Sequence, residues 1–411
     1  MKGRPGYKAV LAFTAMLAVA SSCRKNSEPV YSYFVSDEYS IAYSQPTVKS
    51  LMELAAQSYS GITGLESYVS CDVKVYKMVY KTTVGGEAIE ASGLVCVPSV
   101  SGNYPLLSFQ NGTNTQNAFA PSEYPDYPYY QFVETIASMG FIVVLPDYPG
   151  FGSSSQIPHP YLVAEPTVQS ILDMFRAVRE AAGTKIPGVA LKNEYYLLGY
   201  SQGGWATLSL HKSMELDYPD EFNLSGSACG AGPYDIYDLF VDLVDTSSYS
   251  MPAYLGYIIN AYSAYKQFSN PVSDILNEPY ASKLSSLYTG KLSLSQINDS
   301  LTTSVPALFK SSFLKGFADS SAYSSVRQAL VNNGITPWHT YKPLFLGHGE
   351  SDTQVDVSTT ENMYLGMIAD GTGSSICKMV LYPGLDHDSA VLPCVTDGLL
   401  FLLNIRSQED K

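Results

Sequence analysis

A serine set between glycines at the end of an apolar run is the residue of this chain best placed to do chemistry. Residues 195–204 read Tyr-Tyr-Leu-Leu-Gly-Tyr-Ser-Gln-Gly-Gly, and Gly199 to Gly203 has the form G-x-S-x-G. The helix-compatible stretch Trp205 to Leu210 follows at once. A strand, a sharp turn and a helix in that order hold such a serine in a strained, exposed position, as a nucleophile requires. The pentapeptide alone describes a glycine-rich turn equally well. A serine is a poor nucleophile at neutral pH, so it needs a base within hydrogen-bond reach and an acid to orient that base.

Only five histidines are available, namely His159, His211, His339, His348 and His387. His387 closes Tyr-Pro-Gly-Leu-Asp-His, a loop after the apolar run Met379-Val380-Leu381, and it comes late in the chain. That suits the order serine, acid, histidine, and makes it the expected base. For the acid, Leu344-Phe345-Leu346 leads into Gly-His-Gly-Glu-Ser-Asp, and Asp352 at the far end of this loop can fold back toward His387. Asp356 and Glu350 are alternatives. Asp386 and Asp388 flank His387, but neighbouring residues cannot easily turn both side chains toward each other. An oxyanion needs two backbone donors. The amide of Gln202, just after the serine, is one candidate. The other is Thr113, with Asn114 next, in the loop Asn111-Gly112-Thr113-Asn114.

Positioning these residues takes a sheet. Tyr68 to Tyr80 and Ala88 to Val97 alternate as a hairpin around Thr-Thr-Val-Gly-Gly at 82–86. Tyr104 to Gln110 is a further strand, and Phe141 to Leu145 is a continuous apolar run of the kind buried in parallel sheets. Ile171, Met174, Phe175 and Val178 repeat at helical spacing within a helix expected over 167–182. Later strands are expected at 224–228, 344–346 and 379–381. Strands alternating with helices predict an α/β fold with a mostly parallel central sheet flanked by helices. Between Tyr234 and Thr336 the alternation stops, and the Tyr-, Ser- and Leu-rich interval reads as a mainly helical cap insertion. The expected organisation is a signal peptide over 1–22 and a tether and leader over 23–60. Core segments over 61–233 and 337–411 then flank a cap over 234–336.

The start of the chain carries Lys2, Arg4 and Lys8, an apolar stretch from Ala9 to Ala20, and Ser-Ser-Cys at 21–23. This is the pattern of an export signal, too short for a spanning helix. Small residues directly before Cys23 resemble the lipobox of bacterial lipoproteins, in which that cysteine is lipidated and anchors the protein to a membrane of the cell envelope. An ordinary signal peptide cleaved nearby is the alternative. A net charge of -14 and an isoelectric point near 4.7 argue against nucleic-acid binding. The cysteine spacings fit no zinc pattern. In an oxidising compartment Cys71–Cys96 and Cys377–Cys394 are candidate disulfides, with Cys229 a small core residue.

Ser201, Asp352 and His387 with their flanking motifs resemble the α/β-hydrolase superfamily. More narrowly, the chain is similar to the secretory lipases typified by fungal lipase A. The shared elements run in order: Ser-Phe-Gln at 108–110, Val-Leu-Pro-Asp-Tyr-Pro-Gly-Phe-Gly at 144–152 and Gly-Tyr-Ser-Gln-Gly-Gly at 199–204. They continue with Leu-Asn-Glu-Pro at 276–279, Gly-His-Gly-Glu-Ser-Asp at 347–352 and Tyr-Pro-Gly-Leu-Asp-His at 382–387. The resemblance implies serine hydrolysis of carboxylic esters beneath a cap, with no metal and no cofactor. The chain departs from the fungal pattern in its candidate lipid anchor and in the loop at 111–114. A peptidase, a carbohydrate (acetyl- or feruloyl-type) esterase, or a non-catalytic binding lipoprotein would share the scaffold. An apolar acyl tunnel beneath the cap would mark a lipase, and an open, aromatic-rimmed cleft a carbohydrate esterase.

Overall fold

The computed structural model describes residues 31–409 together with Met1 and Gly3, so Cys23 and nearly all of the expected export signal lie outside the described residues. Nine strands form a single sheet in the order β1-β2-β3-β5-β4-β6-β7-β8-β9. The first three, β1 (Phe34–Tyr43), β2 (Val73–Val84) and β3 (Glu87–Pro98), run antiparallel to their neighbours. From β5 (Ile142–Pro146) onward every pairing is parallel: β4 (Gly102–Gln110), β6 (Val189–Tyr200), β7 (Leu224–Gly230), β8 (Leu344–Gly349) and β9 (Cys377–Tyr382). This is the mostly parallel, helix-flanked sheet expected from the sequence.

The strands divide the core in two because alternate side chains point to opposite faces. Val95, Leu106, Val144 and Leu197 enter one cluster with Met174 and Phe175 of α3 (Ala164–Ala181), whose packing partners include α4 (Gln202–Leu216). Leu94, Leu107, Val143 and Leu198 enter the other, under α1 (Gln45–Ala56), α2 (Pro128–Thr135) and the C-terminal helix Val391–Glu409. Each such side chain taken fully out of water contributes roughly 1.5–3 kcal/mol. Burial on both faces explains why β5 is five apolar or proline residues without alternation.

Between β7 and β8 the chain makes only helices and isolated bridges among the described residues. The first two helices of this insertion, α5 (Ile236–Val244) and α6 (Pro252–Ala264), carry most of what faces the site. Two features differ from the sequence reading. The leader contains a real strand, β1, whose inward face is thin. Only Phe34 and Tyr43 are buried in it, so its hydrophobic signal is weak. The two candidate disulfides are absent and all five described cysteines are free thiols. Cys96 pairs with Val75 within the sheet, whereas Cys71 lies before the start of β2 with its thiol against Ser138 O. Cys377 and Cys394 belong to clusters on opposite faces of the sheet.

Candidate active site

Ser201 stands alone between β6 and α4 with φ of 59° and ψ of -122°, a conformation that costs roughly 1–3 kcal/mol for a residue with a side chain. The glycines around it are required by contact. A Cβ at Gly203 would lie 1.8 Å from the Gln110 carbonyl, and one at Gly199 would lie 2.3 Å from the Gly203 carbonyl. The helix is thereby pressed against β4 and β6, and the serine is pushed out at the turn. Its amide donates to Gly230 O at 2.8 Å, which ties the elbow to β7.

His387 Nε2 lies 2.9 Å from Ser201 Oγ, and its Nδ1 lies 2.5 Å from Asp352 Oδ2. One imidazole therefore spans serine and carboxylate. The Tyr200 hydroxyl donates to His387 O at 2.7 Å, so the elbow also holds the loop that carries the histidine. Asp352 Oδ1 accepts from the amides of Gln354 (2.8 Å) and Val355 (2.9 Å), which fixes the plane of its carboxylate. Burial by itself would raise the Asp352 pKa. Hydrogen bonds from His348 and His387, with the Val355 amide, outweigh it and hold the acid well below the usual carboxylate range. Asp352 is thus an anion able to stabilise a neighbouring imidazolium.

The remaining acids do other work. Asp356 accepts from Ser358 N at the start of the following helix, Glu350 is exposed, and Asp386 accepts from Ser389. Asp388 lies at the rim, where it accepts from Gln354 Nε2 at 3.4 Å.

The loop 111–114 runs past Ser201. A Cβ on Gly112 would sit 4.0 Å from Ser201 Cβ. Gln202 is the first residue of α4, so its amide has no carbonyl partner within the helix. Thr113 Oγ1 is hydrogen-bonded to the Tyr161 hydroxyl at 2.9 Å, which steadies the segment bearing the Thr113 amide.

The sequence model of the family described as Secretory lipase matches residues 130–384. The chain belongs to the secretory lipase family. As a member it is a carboxylic ester hydrolase. No curated protein matches it. Among solved structures it is similar to a hydrolase-like protein from Legionella pneumophila, at 24% identity and a TM-score of 0.80 over 92% of this chain and 99% of that one. A point variant of the rice cell wall degrading esterase LipA from Xanthomonas oryzae shares 25% identity at a TM-score of 0.78, over 92% and 99% of the two chains. Candida antarctica lipase A in its closed state matches at 17% identity and a TM-score of 0.62, over 86% and 77%.

In this family member two cavities open at Ser201. One, of about 210 Å³, is mostly apolar and runs under α5 and α6, lined by Leu239, Phe240, Leu243, Leu255 and Ile258. The other, of about 620 Å³, is a wider cleft bordered by Asn111, Asn114, Tyr127, Tyr129, His387 and Asp388. Tyr254 of α6 borders both, its hydroxyl donating to Gln354 Oε1 at 3.1 Å. Both cavity types that would separate a lipase from a carbohydrate esterase are present, and Ser201 borders each of them.

Several further residues support the site. His348 is fully buried. Its Nε2 lies 3.1 Å from Asp352 Oδ2 and 3.0 Å from Val355 O, and its Nδ1 lies 2.7 Å from Thr360 Oγ1. The acid therefore has two histidines on one oxygen. In the sequence it stands inside Gly-His-Gly-Glu-Ser-Asp, four residues before Asp352, and in the structure it is near the end of β8. His159 is also buried. Its Nδ1 lies 2.8 Å from Pro149 O, and its Nε2 accepts from the Gln202 side-chain amide at 2.8 Å. Burial pushes its pKa down to about 4, so it is neutral and able to accept. The insertion tyrosines mostly tie loops down. Tyr257 donates to Asn114 O (3.2 Å), Tyr262 to Leu162 O (3.0 Å) and Tyr265 to Pro158 O.

Proposed function

We propose that the chain cleaves esters by two-step acyl transfer through Ser201, His387 and Asp352. His387 Nε2 takes the proton from Ser201 Oγ as that oxygen attacks the ester carbonyl carbon. The Gln202 and Thr113 amides receive the developing oxyanion, and Asp352 holds Nδ1–H and stabilises the imidazolium. Collapse of the tetrahedral intermediate expels the alcohol, which takes the proton from His387. Water then attacks the acyl-enzyme with His387 again as base, and the carboxylic acid leaves.

The observation that carries this reading is the single imidazole within hydrogen-bond distance of both Ser201 and Asp352. Ser201→Ala should abolish hydrolysis of short aryl esters while leaving the circular dichroism spectrum unchanged. Wild-type turnover by that variant would sink the assignment. The apolar cavity under α5 and α6 suits the acyl chain. We further propose that the protein is exported and held at a membrane of the cell envelope by lipidated Cys23, in keeping with its family and with the basic, then apolar, start of the sequence. Cys23→Ser should move the enzyme from the membrane fraction to the soluble fraction, and unchanged fractionation would count against the anchor.

A further inference from the structure

An insertion beside a serine nucleophile can work in two ways. A lid that opens on oil hangs on few bonds, hides the serine when shut, and needs apolar surface around the mouth for adsorption. A fixed roof is bonded to the walls and leaves an entrance. Here the bonds fall on three separate loops of the core. Tyr249 donates to Gln354 O at 2.9 Å, Tyr257 to Asn114 O and Tyr262 to Leu162 O. The core bonds back at a second place, where Thr115 Oγ1 donates to Leu292 O and the Asn117 amide to Gly290 O, both at 2.8 Å. The helix α5 is held at both ends. Before it, Thr359 Oγ1 accepts from the amides of Tyr234 at 3.1 Å and Asp235 at 3.4 Å, and after it the Tyr249 amide donates to Thr303 O at 2.8 Å. Opening would part buried hydroxyls from their carbonyls at several places together, and an unpaired buried hydroxyl is costly.

The serine does not wait on such a movement. Ser201 is partly exposed with the insertion in place, and the cleft of about 620 Å³ leads to it. Nor does the mouth suit an oil surface. Of the large apolar side chains exposed among the described residues, none lines either cavity at Ser201. Exposed carboxylates stand there instead, Asp388 on the cleft and Asp242 on the apolar cavity. We propose that the insertion is a fixed roof, so that the enzyme takes esters dissolved as single molecules and gains nothing from an oil–water surface. The proposal rests on Ser201 acting as the nucleophile. A dissolved ester enters through the cleft and buries its acyl part in the apolar cavity, where each CH₂ removed from water adds to binding. An oil droplet would strip water from the rim carboxylates and return no partner for them.

The test follows initial rates of the full-length protein on vinyl propionate and on tributyrin, each taken through its solubility limit. The rate should saturate with the dissolved ester and change less than twofold as droplets form. A rise of twofold or more at the limit would overturn the fixed roof. Tyr262→Phe removes a roof-to-wall bond that goes to neither the 111–114 loop nor the acid. Its rate on dissolved ester should be no higher than that of the wild type. A faster variant below the limit would mean that the insertion must open, and would overturn the proposal. Hydrolysis confined to droplets would do the same while leaving the serine mechanism standing. No hydrolysis of either ester, dissolved or dispersed, nor of short aryl esters, would overturn the serine mechanism and this proposal together.

Discussion

The two sides of Ser201 are built from different parts of the molecule and by different forces. The acid–base side belongs to the sheet. His387 and Asp352 sit on loops after β9 and β8, and Asp352 is held by two histidines and two backbone amides. These are hydrogen bonds to a charged group in a buried setting, roughly twice as strong as neutral ones. The loop proposed to supply the second oxyanion donor depends on neutral hydroxyls. Thr113 is held by Tyr161, Asn114 O by Tyr257, and the Tyr161 and Tyr257 rings stack at 4.3 Å. Tyr257 lies on α6, so the insertion reaches the donors without touching the acid–base pair through that path. In the proposed mechanism the core thus holds the acid directly, and the insertion reaches it only one residue removed, through Tyr249 and Tyr254 on Gln354, whereas it bonds the 111–114 loop itself through Tyr257.

This contrast predicts a graded series. Asp352→Asn should have the largest effect, lowering kcat by about 10³–10⁴-fold, because it favours the wrong imidazole tautomer. Retention of more than a tenth of wild-type kcat would break the assignment of the acid. His348→Leu removes one of the two imidazoles from Asp352 Oδ2 and should reduce kcat by roughly 10–100-fold with little change in KM, the smaller loss expected of a positioning residue. A KM effect without a kcat effect would place His348 outside the acid's support. Tyr257→Phe deletes a single neutral hydrogen bond and should cost only severalfold in kcat/KM, consistent with about 1 kcal/mol. A loss as large as that of Asp352→Asn would erase the distinction between the two sides.

A separate effect, on stability and not on turnover, comes from His159. Buried His159 titrates near 4 in the folded protein, against its ordinary value of 6.5. Above pH 6.5 both folded and unfolded chains carry it neutral and the native state keeps its full stability. As pH falls from 6.5 toward 4 the unfolded chain takes up the proton first, so stability declines by an amount on the order of 3 kcal/mol. His159→Gln should flatten that part of the Tm-against-pH curve. An unchanged slope would show that other groups govern it.

How much of this could be read from the chain follows from the physics of each feature. Ser201, Asp352 and His387 stand out because strand-end loops in a fixed order demand particular residue types, and the structure brings all three into one line of hydrogen bonds. The parallel strands show as runs buried on both faces. β1 does not, since an edge strand with two buried side chains alternates too weakly. Cysteine pairing failed as a reading because sequence spacing is blind to which face of the sheet a residue occupies. His159 and the insertion tyrosines are illegible for a related reason, since their partners lie more than 40 residues away. His348 is close to its partner in sequence, but nothing in the spacing says that its ring turns onto Asp352, four residues on.

The most direct test of the central claim is covalent. Incubation with a fluorophosphonate followed by peptide mass mapping should show one adduct, on Ser201. The adduct should be lost in Ser201→Ala and formed at least 100-fold more slowly in His387→Ala. An unlabelled folded wild-type protein, or an adduct on any other residue, would contradict the account.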